Sequence, residues 1–295
     1  MNNIRLFWWS PRRDPKLAYR EMRSNGATWA RLAMTTGKPL CNFGDELSPL
    51  LVSKVLGRRV RWSSADKADL VAVGSVIEYV AKRTRNAPVV WGTGIRDHIG
   101  PEMRERVRSQ VGGFLAVRGR RSIGELGLDP ATPIGDPGVL APDLIRGAKT
   151  RRGILYLPHF RTWSTDAGRV SLKRAEAAGM AVMAPAVRPE EAVERISGAD
   201  LVLTSSLHGL IVAHAFGVPA QLISPPESRI REPEFKYLDY LESVGLPHQV
   251  MSIEGALSNG ALEQILESRA AEASGVRERS RAMADSLASA LGEFS

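Results

Sequence analysis

Leu201-Val202-Leu203-Thr204-Ser205-Ser206-Leu207-His208-Gly209-Leu210-Ile211-Val212-Ala213-His214-Ala215-Phe216-Gly217-Val218-Pro219 is the stretch that decides the fold class. Residues 201–203 are short and wholly apolar, which suits a strand buried on both faces of a parallel sheet. Two hydroxyl residues, a histidine and a glycine follow, and an apolar helical run takes over at 210–216. Strand, polar turn and buried helix together make the repeating unit of a doubly wound α/β sheet. Ligands of such sheets lie at the carboxyl ends of the strands, so the turn at 204–209 is where chemistry is expected. Ser205, Ser206 and the first-turn N–H groups, with Gly209 allowing close approach, offer an anion site. His208 stands at the same place as an acid/base candidate. His214 lies about 240° further around the helix, so a two-histidine metal site is not expected. No G-x-S-x-G elbow surrounds either serine, which disfavours hydrolase chemistry.

Outward from this unit, short apolar runs bounded by Gly or Pro recur in two series. The first comprises 4–9, 70–73, 89–91 and 114–117; the second comprises 154–157, 181–183, 201–203 and 221–223. Helical patterns fall between them at 46–56, 101–109, 121–126, 164–178 and 189–196, and an amphipathic tail begins near Ile253. The expectation is an α/β protein of two Rossmann-like lobes, residues 1–147 and 148–295, with a cleft between them and a C-terminal helical tail. The charged stretch 142–152 is the candidate linker.

The chain has 295 residues with 40 Lys+Arg against 32 Asp+Glu, a net charge of +8. The excess is uneven: residues 1–150 carry 25 Lys+Arg and 14 Asp+Glu. A basic half is compatible with nucleic acid, an acidic membrane surface, an anionic substrate, or simply an Arg-rich solvated surface. Ordinary apolar content, 43%, excludes a disordered chain. The single cysteine, Cys41, can form neither an internal disulfide nor a Cys-based metal site, so a cytoplasmic setting is expected. The longest uncharged stretch, from Leu207 to about Gln221, is shorter than the ~20 residues of a membrane span.

Three further strand exits are glycine-rich: Gly74-Ser75, Gly92-Thr93-Gly94 and Gly135-Asp136-Pro137-Gly138. None completes a dinucleotide fingerprint or a Walker A loop, which removes support from NAD and P-loop readings. Asn42-Phe43-Gly44-Asp45 precedes a helical run. Asn42 or Asp45 either caps that helix or points into the cleft, and local physics leaves both open.

In this order, Asn42-Phe43-Gly44-Asp45-Glu46-Leu47, Val73-Gly74-Ser75, Val90-Trp91-Gly92-Thr93-Gly94-Ile95, Val117-Arg118-Gly119, Gly135-Asp136-Pro137-Gly138, Leu157-Pro158-His159 and Ser205-Ser206-Leu207-His208-Gly209 resemble the polysaccharide pyruvyl transferases. The stretch Phe235-Lys236-Tyr237-Leu238-Asp239-Tyr240-Leu241-Glu242-Ser243-Val244-Gly245 extends the likeness, which covers roughly residues 4–245 and is strongest to the succinoglycan-type ketalases. The resemblance implies a GT-B-like two-lobed fold. It also implies transfer of a pyruvyl group from phosphoenolpyruvate to a sugar diol of a polysaccharide or its lipid-linked precursor, giving a cyclic ketal and phosphate. Many family members carry Arg within the Ser-x-x-His-Gly element, where this chain has Ser206, so another cation must meet the donor.

Arg118, His159, Arg161, Arg229, Arg231 and Lys236 are the candidates, since guanidinium suits carboxylate and phosphate. His208 and Asp45 are the expected catalytic groups. Arg118 with the Ser205/Ser206 turn is expected to hold the donor, and Asp45 or Asp136 to orient the acceptor. Asn42, Gly44, Gly74, Ser75, Gly92, Gly94 and Gly209 complete the expected lining. No metal or cofactor is called for, and the basic first lobe is expected to take the acceptor. Peripheral contact with an inner membrane surface fits the basic excess. The competing expectations are a GT-B glycosyltransferase using a nucleotide sugar and a non-enzymatic nucleic-acid binder; no nucleic-acid module supports the latter.

Overall fold

The computed structural model describes residues 3–81, 86–224, 226 and 233–294. The first lobe runs β1 (Ile4–Phe7), α1 (Pro15–Thr36), α2 (Phe43–Leu56), β2 (Val60–Trp62), β3 (Leu70–Ala72), α3 (Ile77–Val80), β4 (Val89–Trp91), α4 (Pro101–Gln110), β5 (Gly113–Ala116) and α5 (Arg120–Leu126). Its five strands are parallel, in the order β2-β1-β3-β4-β5. A 3₁₀ turn (Pro137–Leu140) and α6 (Ala141–Leu144) lead into the second lobe. That lobe contains β6 (Ile154–Leu157), α7 (Asp166–Ala177), β7 (Ala181–Val182), α8 (Pro189–Ser197), β8 (Leu201–Thr204), α9 (Leu207–Ala215), β9 (Ala220–Ile223), α10 (Phe235–Ser243), β10 (Val250–Met251), α11 (Ile253–Ala256) and α12 (Ala261–Gly292). Its strands are also parallel, ordered β10-β9-β8-β6-β7.

Counted from its own first strand, each sheet reads 2-1-3-4-5, the flavodoxin-like order. The winding direction therefore reverses between β1 and β3, and again between β6 and β8. Strands β3 and β8, on one side of each reversal, are buried along their whole length, as their uninterrupted apolar sequences demand. The structure adds two strands to the expected eight, both at sheet edges, β2 and β10.

A shared core joins the lobes. Phe43, Leu47 and Leu51 of α2 belong to one cluster with Val139, Leu140, Ile211 and Val212. Backbone contact follows the same seam, since Phe43 N–H donates to the Pro185 carbonyl at 2.9 Å. The C-terminal α12 returns to the first lobe, where Trp91 Nε1 donates to the Leu287 carbonyl at 3.0 Å. Among the described residues, no helix is long and apolar enough to cross a membrane.

Candidate active site

The carboxyl ends of β3 and β8 meet at the seam between the lobes. At the β8 end, Thr204 Oγ1 donates to the Leu157 carbonyl (2.7 Å) and accepts from Ser206 N–H (2.9 Å), tying β8 to β6. Ser206 then caps α9, its Oγ accepting from Gly209 N–H at 3.3 Å. This cap starts the helix at Leu207, three residues earlier than apolar periodicity indicates, and sets His208 in its first turn. The His208 ring crosses to the first lobe and lies on Gly44, where a Cβ would overlap it. Replacing Gly44 with alanine is expected to displace the imidazole and lower kcat by about a hundredfold. Steady-state kinetics, with circular dichroism as the folding control, checks this.

At the β3 end, Val73 adopts φ 44° and Gly74 φ 92°. A β-branched residue in the left-handed region stores about 1–3 kcal/mol of strain, which the surroundings must sustain. Buried Thr93 supplies that support. Its Oγ1 donates to the Gly74 carbonyl (2.8 Å) and accepts from Val76 N–H (3.3 Å). Gly94 N–H donates to the same carbonyl at 3.0 Å. Thr93→Val would orphan the Val76 N–H and is expected to cost about 1–3 kcal/mol, read as a lowered denaturant midpoint at unchanged slope. The strained turn faces the chemistry: a Cβ on Gly74 would stand 3.3 Å from Asp45 Oδ1 and 3.9 Å from the His208 ring.

Asp136 closes the group from below. Its Oδ1 accepts from Gly138 N–H at 2.9 Å, capping the 137–140 turn. Its Oδ2 lies 3.8 Å from His208 Nε2, and neither atom has a hydrogen-bond partner although both are buried. A fully buried carboxylate therefore faces an imidazole across the seam, ready to accept its N–H or to stabilise its charged form.

These groups have opposite proton preferences. Burial pushes the Asp45 carboxyl up to about 8, Glu46 and Asp136 add to the shift, and Lys236 opposes it. Part of the Asp45 surface still reaches solvent, so a proton can come and go. Burial holds the His208 imidazole below its ordinary value. Asp136 pulls it upward, while Arg118 and Lys236 push it further down. At neutral pH the site thus presents a protonated carboxyl beside an unprotonated imidazole, an acid and a base separated by environment. Asn42, whose Oδ1 accepts from Gly44 N–H at 3.1 Å, is the cap of α2. That leaves the Asp45 side chain to the site.

Arg118 is placed differently from the expectation that it holds the donor. It is completely buried and donates from Nε to Asp239 Oδ2 (3.1 Å), from Nη1 to Ser75 Oγ (2.6 Å) and from Nη2 to the Ile95 carbonyl (2.5 Å). Asp239 also accepts from Ser122 N–H and Oγ. Arg118 and Ser75 therefore clamp α10 of the second lobe to the first, and act on the site through charge and position. Ser205 is likewise buried, its Oγ accepting from His159 N–H at 2.7 Å and its carbonyl from the Tyr237 hydroxyl at 2.9 Å. Side chains at Gly92 and Gly209 would strike Pro137 and Leu157, so those glycines serve packing.

Lys236 lies over the Tyr237 ring at 5.0 Å and Arg161 over Phe160 at 5.3 Å. With His159 they stand at the second lobe's strand exits, and Lys236 is close enough to act on both Asp45 and His208. Arg229 and Arg231 lie outside the described residues. Among the described residues, no group of three or more His, Cys, Asp or Glu is arranged to hold a metal ion. A cavity of about 830 Å³ opens at the amino ends of β1, β2 and β4. It lies at the wrong end of a parallel sheet for a ligand, and its Arg5 is paired with Asp69. The Asp45–His208–Asp136 group is the better site on chemical grounds.

The sequence missed Thr93, Asp239 and Tyr237 as organisers of the site. Only tertiary pairing reveals them.

The polysaccharide pyruvyl transferase family model matches residues 3–225. The succinoglycan biosynthesis protein ExoV of Rhizobium meliloti (strain 1021) is 26% identical over 211 residues, covering 70% of this chain and 63% of that protein's length. Among solved structures, the glycosyltransferase SnogD of Streptomyces nogalater aligns over 94% of this chain and 84% of its own, at 16% identity and a TM-score of 0.44.

Proposed function

The chain belongs to the polysaccharide pyruvyl transferase family, and we propose that it moves a pyruvyl group from phosphoenolpyruvate to a sugar diol, closing a cyclic ketal and releasing phosphate. The observation that carries this reading is the acid–base opposition of Asp45 and His208 across the seam between the lobes. Ketal formation needs just such a pair. The Asp45 carboxyl protonates the methylene carbon of the donor, which makes the neighbouring carbon electrophilic. The first sugar hydroxyl attacks that carbon and loses its proton to His208, and Asp136 stabilises the resulting imidazolium. His208 returns the proton to the departing phosphate. The second hydroxyl then closes the ring and gives its proton to the Asp45 carboxylate, which restores both groups.

Donor anions are met by Lys236 and Arg161, by His159, and by the N-terminus of α9 behind Ser206. Arg118 holds the frame of this pocket. The acceptor, a polysaccharide unit or its lipid-linked precursor, enters from the first lobe, where Asp45 sits. The test incubates the protein with phosphoenolpyruvate and a panel of hexosides, following phosphate release and the mass gain of the acceptor. Turnover with phosphoenolpyruvate and none with nucleotide sugars is the expected result. The reverse pattern would assign the site to glycosyl transfer.

A further inference from the structure

Three of the five large apolar side chains that stand most exposed among the described residues lie on one helix: Tyr19 (70%), Met22 (48%) and Met34 (79%) of α1. The opposite side of α1 is packed, with Leu17, Thr28, Trp29 and Leu32 buried. Tyr19 and Met22 are three residues apart on the first half. Beyond the break at Asn25, Ala27, Ala30 and Met34 share the outer face of the second half, and Arg31 at its edge is half-buried and donates to the Trp163 carbonyl at 3.2 Å. Such a stripe is costly to leave in water and calls for a cover.

The charges beside the stripe say what covers it. Arg12, Arg13, Lys16 and Arg23 are exposed around its first half. The two acids of the region are engaged within the helix: Asp14 caps α1, and Glu21 accepts from Asn25 Nδ2 and Trp29 Nε1. A second copy of the helix would bring like charges together. An anionic lipid surface would instead accept the apolar stripe among its acyl chains and the cations among its headgroups. We propose that the exposed face of α1 docks this protein on an anionic bilayer. The docked helix borders the chemistry, because α1 leaves the carboxyl end of β1 and its inner face carries Trp29, stacked on Phe160 (5.1 Å) next to His159. The inference stands independently of which donor the site uses.

The full chain is sedimented with vesicles of phosphatidylcholine alone or mixed with phosphatidylglycerol. Binding to the mixed vesicles only, weakened by high salt, is expected. Tyr19→Ser/Met22→Ser/Met34→Ser and, separately, Lys16→Glu/Arg23→Glu should each weaken it by about tenfold or more, with unchanged thermal midpoints because these side chains are exposed. No binding by the unsubstituted protein would overturn the proposal, as would binding that both variants retain. So would a dimer in analytical ultracentrifugation that Met34→Ser dissociates, which would give the face to a second copy.

Discussion

Substitution of His208 by alanine is expected to lower kcat/KM for phosphoenolpyruvate-dependent phosphate release by about 10³-fold, within the range of a positioned acid/base group. The loss should fall on kcat, because in the proposed mechanism the imidazole acts on protons in flight while Lys236, Arg161 and the α9 N-terminus hold the donor. Stability should change little, since among the described residues His208 Nε2 has no hydrogen-bond partner to lose and faces Asp136 at 3.8 Å. Asp136→Asn is the informative companion. It keeps the size of the side chain but removes the charge that stabilises an imidazolium, and so places Asp136 as a positioning residue if kcat falls and the acid limb of the pH profile moves further down.

Asp45→Asn is the second large effect, about 10²–10³-fold in kcat, through loss of the proton donor. Its pH signature follows from the environments of the two groups. The proposed mechanism needs unprotonated His208 and protonated Asp45. It should therefore rise as pH passes the lowered His208 value and fall through about 8, where Asp45 ionises. The Asp45→Asn variant should lose the alkaline limb from whatever activity remains.

The same substitution predicts a gain in stability. The folded-state pKa of Asp45 is raised, so the native protein holds that proton more tightly than the unfolded chain does. Stability is therefore lost as pH climbs from the unfolded carboxyl value toward about 8, and the loss is complete above it. Thermal unfolding at pH 9 should show Asp45→Asn more stable than the parent, with the difference vanishing near pH 4. A site that costs stability while it supplies a proton is the expected exchange between stability and activity.

The fold was legible where burial alone writes the pattern. Strands 70–72, 89–91, 154–157 and 201–204 are apolar because both faces of the sheets are covered. Edges were not legible in the same way. Val60-Arg61-Trp62 alternates and is bounded by Arg58, Arg59, Ser63 and Ser64, and Val250-Met251 is only two residues long. Helix α1 is interrupted by Asn25 and Gly26, which hid its period. Its ends were nonetheless written in Asp14, Pro15 and the left-handed Gly37 that closes it.

The site divides along similar lines. Gly74 and His208 meet from the strand exits where carboxyl ends converge in this architecture. Gly44 and Asp45 instead reach them from the first turn of α2, behind another helix, and Asp136 from the turn at 137–140. Arg118 reads as a ligand-binding cation at a strand exit until Asp239, 121 residues away, is seen beside it. No local pattern encodes that pairing. Nor does any local pattern reveal that Asp45 keeps its proton and His208 does not, since both follow from burial at a seam made by two lobes.

Proton delivery from Asp45 to the donor's methylene carbon is tested by running the reaction in deuterated water with a hexoside or lipid-linked acceptor. The ketal and its isomer, an enolpyruvyl ether, have the same mass, so the product is read by proton NMR. A pyruvate-ketal methyl group carrying one deuterium, absent from the Asp45→Asn reaction, is the predicted result. Vinylidene protons in the product, or a singly labelled methyl formed at the parent rate by Asp45→Asn, would contradict it.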